Sequence, residues 1–204
     1  MHIAVFDDMS QCTTRAVEQM LPQVSAQRRE QALRYQHTLG QFCCLKSWLM
    51  LRELLDEGLP VTGYGNWEYN EHGKPSFPHN LSPITHHPCF FSISHCKEGI
   101  AVAVDNQPIG IDIEAIRHAE EDLIKRTMNE AERKLIANAN AKANAIFTRL
   151  WTQKEAVVKC QGTGITSFEQ LQSILENQTL NIETIEKEKY IYSIAYGKLH
   201  CFSA

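Results

Sequence analysis

Two acidic residues that alternate with isoleucines form the first group in this sequence that could do chemistry. Asp112 and Glu114 lie two residues apart in the apolar segment 109–114. β-Branched residues favour a strand, and side chains two apart in a strand point to the same side. Two carboxylates on one side of an apolar strand are costly unless a cation lies between them. The spacing indicates a divalent metal with oxygen ligands, Mg²⁺ or Mn²⁺; the alternative is a strand end that exposes both groups to water.

An acidic and a basic residue lie further along the chain on one face of a predicted helix. No Gly or Pro interrupts residues 145–161, and Gly162 stands where the helix is expected to stop. Glu155 and Lys159 are four residues apart, so they share a face of this helix. A single pair of this kind is most often a surface ion pair. Whether Glu155 and Lys159 have a functional role therefore depends on the motifs that accompany them.

Four motifs occur in one order along the chain. They are Gly73-Lys74-Pro75, Phe91-Ser92-Ile93-Ser94-His95, Gly110-Ile111-Asp112-Ile113-Glu114, and Trp151-Thr152-Gln153-Lys154-Glu155-Ala156 followed by Lys159. Each motif alone is a weak signal, but the ordered set resembles the signature of the 4′-phosphopantetheinyl transferases. The length and spacing resemble the larger, monomeric type that activates surfactin synthetase, more than the short type that trimerises.

The resemblance implies an α+β fold of two similar lobes related by a pseudo-twofold axis. Each lobe is expected to hold a small antiparallel sheet with packed helices. Residues 1–106 would form an N-terminal lobe that binds coenzyme A, and residues 107–204 a C-terminal lobe that carries the metal and catalytic residues. No internal repeat is visible in the sequence, so the symmetry is implied by the resemblance alone.

The resemblance also implies an enzyme, a holo-[acyl-carrier-protein] synthase. Such an enzyme moves the 4′-phosphopantetheine group from coenzyme A to a serine of an apo acyl or peptidyl carrier protein, and releases adenosine 3′,5′-bisphosphate. Asp112, Glu114 and Glu155 would bind Mg²⁺, or Mn²⁺, against the cofactor diphosphate. Lys159 would neutralise a diphosphate oxygen, and Glu155 would accept the serine proton directly or through a water. Asp112, Glu155 and Lys159 are thus the expected catalytic residues.

Contacts to coenzyme A are implied at positions that match the family motifs: Arg28, Gly73, Lys74, Pro75, Ser94, His95 and Lys159. Arg28 is expected at the 3′-phosphate and Lys74 at the nucleotide end. Ser94 and His95 are expected at the phosphates, because hydroxyl and imidazole donors favour an anion. Family members often carry further cations where this chain has Gln31 and Cys43.

Two other functions are compatible with the same residues. A metal-dependent phosphohydrolase that acts on coenzyme A or a related nucleotide would use the same carboxylates and Lys159, with water in place of serine. A non-catalytic module that only binds carrier proteins would have little use for three carboxylates near one point. Carrier proteins are usually acidic, so basic residues near the site are candidates for docking: Lys125, Arg126, Arg133 and Lys134.

Composition and charge narrow the classes of protein to which this chain could belong. The chain has 204 residues, 43% of them hydrophobic, which is enough for a substantial core. A net charge of −4 lacks the basic footprint of a nucleic-acid-binding protein. No apolar run is long enough to span a membrane and no signal peptide is visible, so a cytoplasmic protein is expected.

Cysteine and histidine usage indicates neither disulfides nor a zinc site. The seven cysteines are scattered without a C-x-x-C pattern, so a disulfide framework is not expected. His79, His86, His87 and Cys89 match no zinc-ligand spacing.

Periodicity predicts the elements that must position these groups. Strands are expected at 3–6, 66–69, 90–95, 100–104, 109–114, 182–185, 190–196 and 199–202. Helices are expected at 13–21, 26–35, 41–57, 118–125, 130–139 and 145–161, with a loop or short helix at 168–175. Asn129, with Glu132 three residues later, predicts a capping box at the start of one helix.

Overall fold

A computed structural model describes residues 1–55, 67–80, 88–176 and 179–197. The helices are α1 (Thr14–Met20), α2 (Ala26–Leu33), α3 (Thr38–Leu55), α4 (Glu121–Thr127), α5 (Glu130–Asn138), α6 (Ala143–Gln161) and α7 (Phe168–Ser173). The strands are β1 (His2–Phe6), β2 (Glu68–Tyr69), β3 (Pro75–Ser76), β4 (Phe90–Cys96), β5 (Gly99–Asp105), β6 (Ile109–Ala115), β7 (Asn181–Glu186) and β8 (Tyr190–Tyr196).

The described strands form three small antiparallel sheets, and this confirms the predicted α+β class. Their orders are β1-β5-β4, β2-β3 and β6-β8-β7. The predicted hairpin of β4 and β5 is present, and its register pairs His95 with Ile100. The first sheet draws on residues before 106 and the third on residues after it. The division into lobes at residues 106 and 107 remains a prediction.

Helix α3 supplies much of the core that covers one face of the first sheet. Phe42, Leu45 and Leu51 are buried in one apolar cluster with residues of β4 and β5. Trp48 belongs to the same cluster and is 6% exposed, so it is a core residue. The helix begins before the predicted position 41. The predicted last turn, at residues 56 and 57, lies outside the described residues.

Strand β6 divides its side chains between two environments, as its alternating sequence predicts. Ile109, Ile111 and Ile113 are fully buried in a cluster that includes alanines of β5 and residues of β8. This cluster is therefore shared by the first and third sheets. Asp112 points to the opposite side of the strand, where α6 packs across β6 and β8.

Gly110 allows α6 to approach β6 at backbone distance. A Cβ atom at this position would lie 2.0 Å from the carbonyl oxygen of Ala156 and 2.4 Å from the amide nitrogen of Cys160. Only glycine leaves room for the helix backbone here. The glycine in the acidic motif is thus explained by the packing of the two elements that carry the candidate site.

The helix ends follow local sequence signals with small differences. The capping box at Asn129 and Glu132 is present at the start of α5. Helix α6 ends at Gly162, which has a φ of 72° and adopts the left-handed conformation expected of a glycine stop. Helix α4 begins at Glu121 rather than at the predicted His118.

Two remaining sequence predictions concern the C-terminal part of the chain. The segment after Gly164 forms the short helix α7, one of the two predicted options. The predicted strand at 199–202 lies outside the described residues. Within the described ranges, no helix is both long and apolar enough to cross a bilayer.

Candidate active site

The buried carboxylate of Asp112 is the centre of a contact between three elements. Asp112 is 3% exposed and extends from β6 towards α6 and β4. Lys159 of α6 places its Nζ 2.6 Å from Asp112 Oδ1. Ser94 of β4 donates to the same oxygen at 2.7 Å and accepts from Lys159 Nζ at 3.0 Å. The other oxygen, Asp112 Oδ2, is buried and has no hydrogen-bond partner within the described part of the chain.

A side chain joins the two sheets immediately beside this contact. Strands β4 and β6 are both edge strands of their sheets, and the two pack against each other. Ser92 Oγ accepts a hydrogen bond from the backbone N–H of Ile111 at 3.0 Å. The hydroxyl therefore satisfies a buried backbone amide of β6. Because Ser92 fixes β4 against β6, it also holds Ser94 against Asp112.

Glu114 and Glu155 complete an acidic group around Asp112. Burial, followed by the charge of Asp112, raises the pKa of Glu155 to about 7, although the Lys159 ammonium opposes the shift. Burial and then Asp112 also raise the pKa of Glu114. The charge of Asp112 therefore disfavours the ionisation of Glu114 and Glu155. A cation bound near all three would remove this cost.

These carboxylates fit a metal that relies on further ligands rather than a closed protein cage. They offer an all-oxygen donor set, and Asp112 Oδ2 is buried without a partner. The ammonium of Lys159 is bonded to Asp112 Oδ1. In the described part of the chain, no group of three His, Cys, Asp or Glu side chains is arranged to hold a metal ion. Mg²⁺ commonly binds one or two carboxylates together with waters and substrate phosphates. Convergence of all three carboxylates on one ion remains a prediction.

An open cleft lies beside the acidic group. Its volume is about 360 Å³, and Glu155 and Lys159 form part of its wall. The segment Gly73-Lys74-Pro75 lines the same cleft. His95 lies close enough to Lys159 for that ammonium, together with the larger effect of burial, to lower the pKa of the imidazole. The structure thus brings all the predicted site residues except Arg28 to one region.

Lys74 contacts the protein backbone rather than open solvent. Its Nζ donates to the carbonyl oxygens of Ile109 at 3.3 Å and Cys160 at 3.4 Å. Asn70 fastens the same turn, because its side-chain oxygen accepts from the amide of Lys74 and its Nδ2 donates to the carbonyl oxygen of Gly162. Lys74 therefore joins β6 to the end of α6. Its expected contact to the nucleotide remains a prediction.

Arg28 lies away from this group, within an aromatic cluster. It is 7% exposed, and its guanidinium carbon is 3.9 Å from the ring centroid of Trp67 and 5.5 Å from that of Trp48. Its Nη1 donates to Gln31 Oε1 at 2.7 Å, whereas Nε is buried without a partner among the described residues. Gln31 in turn donates to the hydroxyl of Tyr69. The expected contact of Arg28 with the 3′-phosphate remains a prediction.

Three residues that shape the site have no role in the sequence predictions. Ser92 lies within the motif at Phe91–His95, but the motif does not indicate what its hydroxyl contacts. Asn70 has a local signal, because an Asn three residues before a Gly often organises a turn. Ile165 contributes an apolar side chain to the cleft wall. Nothing in the sequence pattern links Ile165 to the cleft.

Comparisons with known proteins agree with the motifs. The model of the 4′-phosphopantetheinyl transferase superfamily matches residues 108–200. A 4′-phosphopantetheinyl transferase of Bacillus subtilis is 32% identical over 152 residues, which cover 73% of this chain and 65% of the relative. The 4′-phosphopantetheinyl transferase Sfp of Bacillus subtilis strain 168 is 28% identical over 151 residues, which cover 73% of this chain and 65% of the relative. AcpT of Salmonella typhi, a 4′-phosphopantetheinyl transferase, is 34% identical over 123 residues, which cover 57% of this chain and 58% of the relative.

The chain spans less than two thirds of the length of these curated relatives. The family match nevertheless includes both elements that carry the acidic residues, β6 and α6. The predicted family is confirmed: the chain belongs to the 4′-phosphopantetheinyl transferase superfamily.

Proposed function

We propose that this protein transfers the 4′-phosphopantetheine group of coenzyme A to a serine of an apo acyl or peptidyl carrier protein. The products are the holo carrier protein and adenosine 3′,5′-bisphosphate. One observation carries the proposal: buried Asp112 is bonded to Lys159 and Ser94, beside Glu155 and an open cleft. The names of the related proteins support the same activity.

The cofactor diphosphate would bind where these side chains meet. Lys159 is held at this point by its hydrogen bonds to Asp112 and Ser94, which leave one of its three N–H groups for a diphosphate oxygen. Ser94 would turn its one proton from Asp112 to a phosphate oxygen. The imidazole of His95 lies near Lys159 and can donate an N–H to a phosphate oxygen. Asp112, Glu114 and Glu155 would hold Mg²⁺ or Mn²⁺ at this point. When bound, the metal supplies positive charge that stabilises the oxygen of the departing bisphosphate.

Glu155 is the proposed base. The serine oxygen of the carrier attacks the phosphorus on the pantetheine side, and the bond to the second phosphorus group breaks. The serine proton passes to Glu155, directly or through a water. Lys159 neutralises charge on the diphosphate as the adenosine bisphosphate departs. Positioning and charge therefore account for most of the proposed catalysis.

The proposal extends to the rest of the molecule. Arg28, Gly73, Lys74 and Pro75 would contact the nucleotide end of coenzyme A. Residues 1–106 would form the lobe that binds it, and residues 107–204 the lobe that carries the metal. We further propose that the protein acts as a monomer in the cytoplasm.

Removal of single carboxylates tests the proposed function. The assay measures Mg²⁺-dependent transfer from fluorescently labelled coenzyme A to apo carrier proteins from fatty acid, polyketide and nonribosomal peptide synthesis. We expect Glu155→Gln and Asp112→Ala to lose roughly a thousandfold in rate, because each removes charge stabilisation in the transition state. Glu130→Gln is the matched control, since Glu130 is an exposed carboxylate paired with Lys134 on α5.

Three outcomes would contradict the proposal. Near-normal transfer by Glu155→Gln or Asp112→Ala would remove the acidic group from the mechanism. Release of adenosine 3′,5′-bisphosphate from coenzyme A alone, with no carrier present, would favour the phosphohydrolase. Binding of apo carrier without transfer by the wild-type protein would favour a non-catalytic module.

A further inference from the structure

A chain of hydrogen bonds connects α6 with the third sheet behind the acidic group. Thr152 Oγ1 lies 2.8 Å from Ser193 Oγ of β8, and Ser193 Oγ lies 2.9 Å from Thr184 Oγ1 of β7. Gln153 Nε2 donates to Thr184 Oγ1 at 3.0 Å, and Thr152 Oγ1 donates to the carbonyl oxygen of Arg149 at 3.0 Å. Thr152 and Ser193 are fully buried. This chain of hydrogen bonds begins and ends on α6.

Only one direction of donation satisfies every group in this chain. A hydroxyl has one proton, and the proton of Thr152 goes to the carbonyl of Arg149. Ser193 must therefore donate to Thr152, and Thr184 must donate to Ser193. Each hydroxyl then accepts one hydrogen bond and donates one. Loss of any member leaves a buried polar group without its partner, which costs more than an ordinary hydrogen bond.

The hydrogen-bond chain involves the same row of residues across the third sheet as the contact of Asp112 with Lys159. Asp112 and Ser193 are direct partners in the register of β6 and β8, and Ser193 and Thr184 are partners in β8 and β7. Residues paired in register project to the same face of a sheet. Thr152 and Lys159 are seven residues apart, or two helical turns, so they also share a face of α6. Lys159 therefore contacts Asp112 at one end of this row, and Thr152 contacts Ser193 in its middle.

We propose that Thr152 and Ser193 are positioning residues that set the rotation of α6 about its axis. Apolar packing alone allows a helix to roll, whereas a fully satisfied hydrogen-bond chain has one geometry. With Thr152 fixed on Ser193, Glu155 and Lys159 are directed towards Asp112. Neither hydroxyl contacts the substrates. The inference rests on the proposed function, because transfer is its readout.

The test compares hydroxyl removal at Thr152 with hydroxyl removal one turn earlier on the same helix. Thr152→Val keeps the β-branched shape and loses the hydroxyl, and Thr152→Ser keeps the hydroxyl. Thr148→Val is the matched control, because Thr148 is 2% exposed and its hydroxyl donates to the carbonyl oxygen of Asn144 within α6. Ser193→Ala removes the same link from the strand side, and carries the test if Thr152→Val does not fold.

We expect Thr152→Val and Ser193→Ala to lower kcat about tenfold or more, because small misplacements of catalytic groups are costly. The KM for coenzyme A should stay within about twofold. Thr152→Ser should retain nearly the wild-type kcat, and so should Thr148→Val. Because the chain acts as a unit, Thr152→Val combined with Ser193→Ala should lose no more than the worse single variant.

Each contrary result identifies what has failed. An unchanged kcat in Thr152→Val, or a loss in Thr152→Ser as large as in Thr152→Val, overturns the positioning role. A further contrary result is a loss of kcat that follows the fall in Tm in the same proportion in Thr148→Val and in Thr152→Val. That result assigns the effect to helix stability and also overturns the positioning role. No transfer by the wild-type protein and by Thr148→Val overturns the proposed function itself.

Discussion

At the scale of single residues, close packing around Asp112 controls which groups can meet. The Lys159 ammonium and the Ser94 hydroxyl both reach Asp112 Oδ1, while Oδ2 keeps an unused acceptor. This geometry needs α6 and β6 at backbone distance, and that distance depends on Gly110. A glycine with no direct chemical role is therefore as necessary to the site as the charged residues.

Gly110→Ala should be severely destabilising. The added Cβ would overlap the carbonyl oxygen of Ala156 and the amide of Cys160, and backbone atoms cannot move aside as flexible side chains can. Overpacking of this kind typically costs about 1–3 kcal/mol or more. Urea unfolding should show a clear fall in midpoint, together with loss of transfer. Gly197→Ala is the control, because a Cβ there meets nothing within 4 Å; equal midpoints for the two variants would contradict the packing argument.

Ser92→Ala should weaken the junction between β4 and β6. The substitution leaves the buried amide of Ile111 without its acceptor, at a cost of about 1–3 kcal/mol. We expect a lower urea midpoint and a lower kcat, because Ser94 loses its fixed position against Asp112. Ser92→Thr retains a hydroxyl and should recover part of both losses. An unchanged midpoint in Ser92→Ala would show that the amide has another partner in solution.

At the scale of secondary-structure elements, α6 is anchored by the residues that immediately precede Glu155. Lys154 is fully buried and donates to Glu132 Oε2 at 2.8 Å and to the carbonyl oxygen of Leu171 at 2.6 Å. Glu132 also closes the capping box of α5, and Leu171 belongs to α7. One ammonium therefore ties together three helices. The sequence motif that contains Glu155 combines anchoring residues with the proposed base.

Lys154→Met should lower the free energy of unfolding by about 3–5 kcal/mol, because it leaves the carboxylate of Glu132 buried without its cation. Combining Lys154→Met with Glu132→Gln should recover much of the loss, since neither charge then remains buried and the amide oxygen can still close the capping box. Urea unfolding measures both. Lys134→Met is the control: its pair with Glu130 is exposed, so the midpoint should hardly change. A double variant as unstable as Lys154→Met alone would contradict the ion-pair explanation.

At the scale of the whole molecule, the first and third sheets share one interior. The isoleucines of β6 are buried together with alanines of β5, and Tyr190 of β8 donates to Asp7 Oδ2 at 2.8 Å. The contact of Asp112 with Ser94 crosses the same boundary. Neither half can keep its buried surface without the other. The site itself is formed across this junction.

The protein should therefore unfold as one cooperative unit. Trp151→Phe leaves Trp48 and Trp67, which both lie in the core beside the first sheet. The fluorescence of this variant reports mainly on that region, whereas far-UV circular dichroism reports on all helices. The two urea transitions should coincide in midpoint and slope. Separate midpoints would mean that the regions around the first and third sheets unfold independently.

The sequence by itself determined the features that depend on near neighbours. Alternation of apolar and acidic residues defined β6 and placed Asp112 and Glu114 on one side. The uninterrupted stretch before Gly162 defined α6, and Asn129 defined the start of α5. The motifs also identified the family, because their order reflects chemistry that requires those residue types. Such signals are local, and a local pattern is readable without coordinates.

Only the tertiary structure decided which partners those side chains have. Lys74 donates to backbone carbonyls of β6 and α6, and the Arg28 guanidinium packs over tryptophan rings, while their expected contacts with the cofactor stay predictions. The contact of Ser92 with Ile111 and the contact of Thr152 with Ser193 join residues 19 and 41 positions apart. Hydrogen bonds over such separations follow from how sheets and helices pack. Packing is a property of the whole chain, so no short motif encodes it.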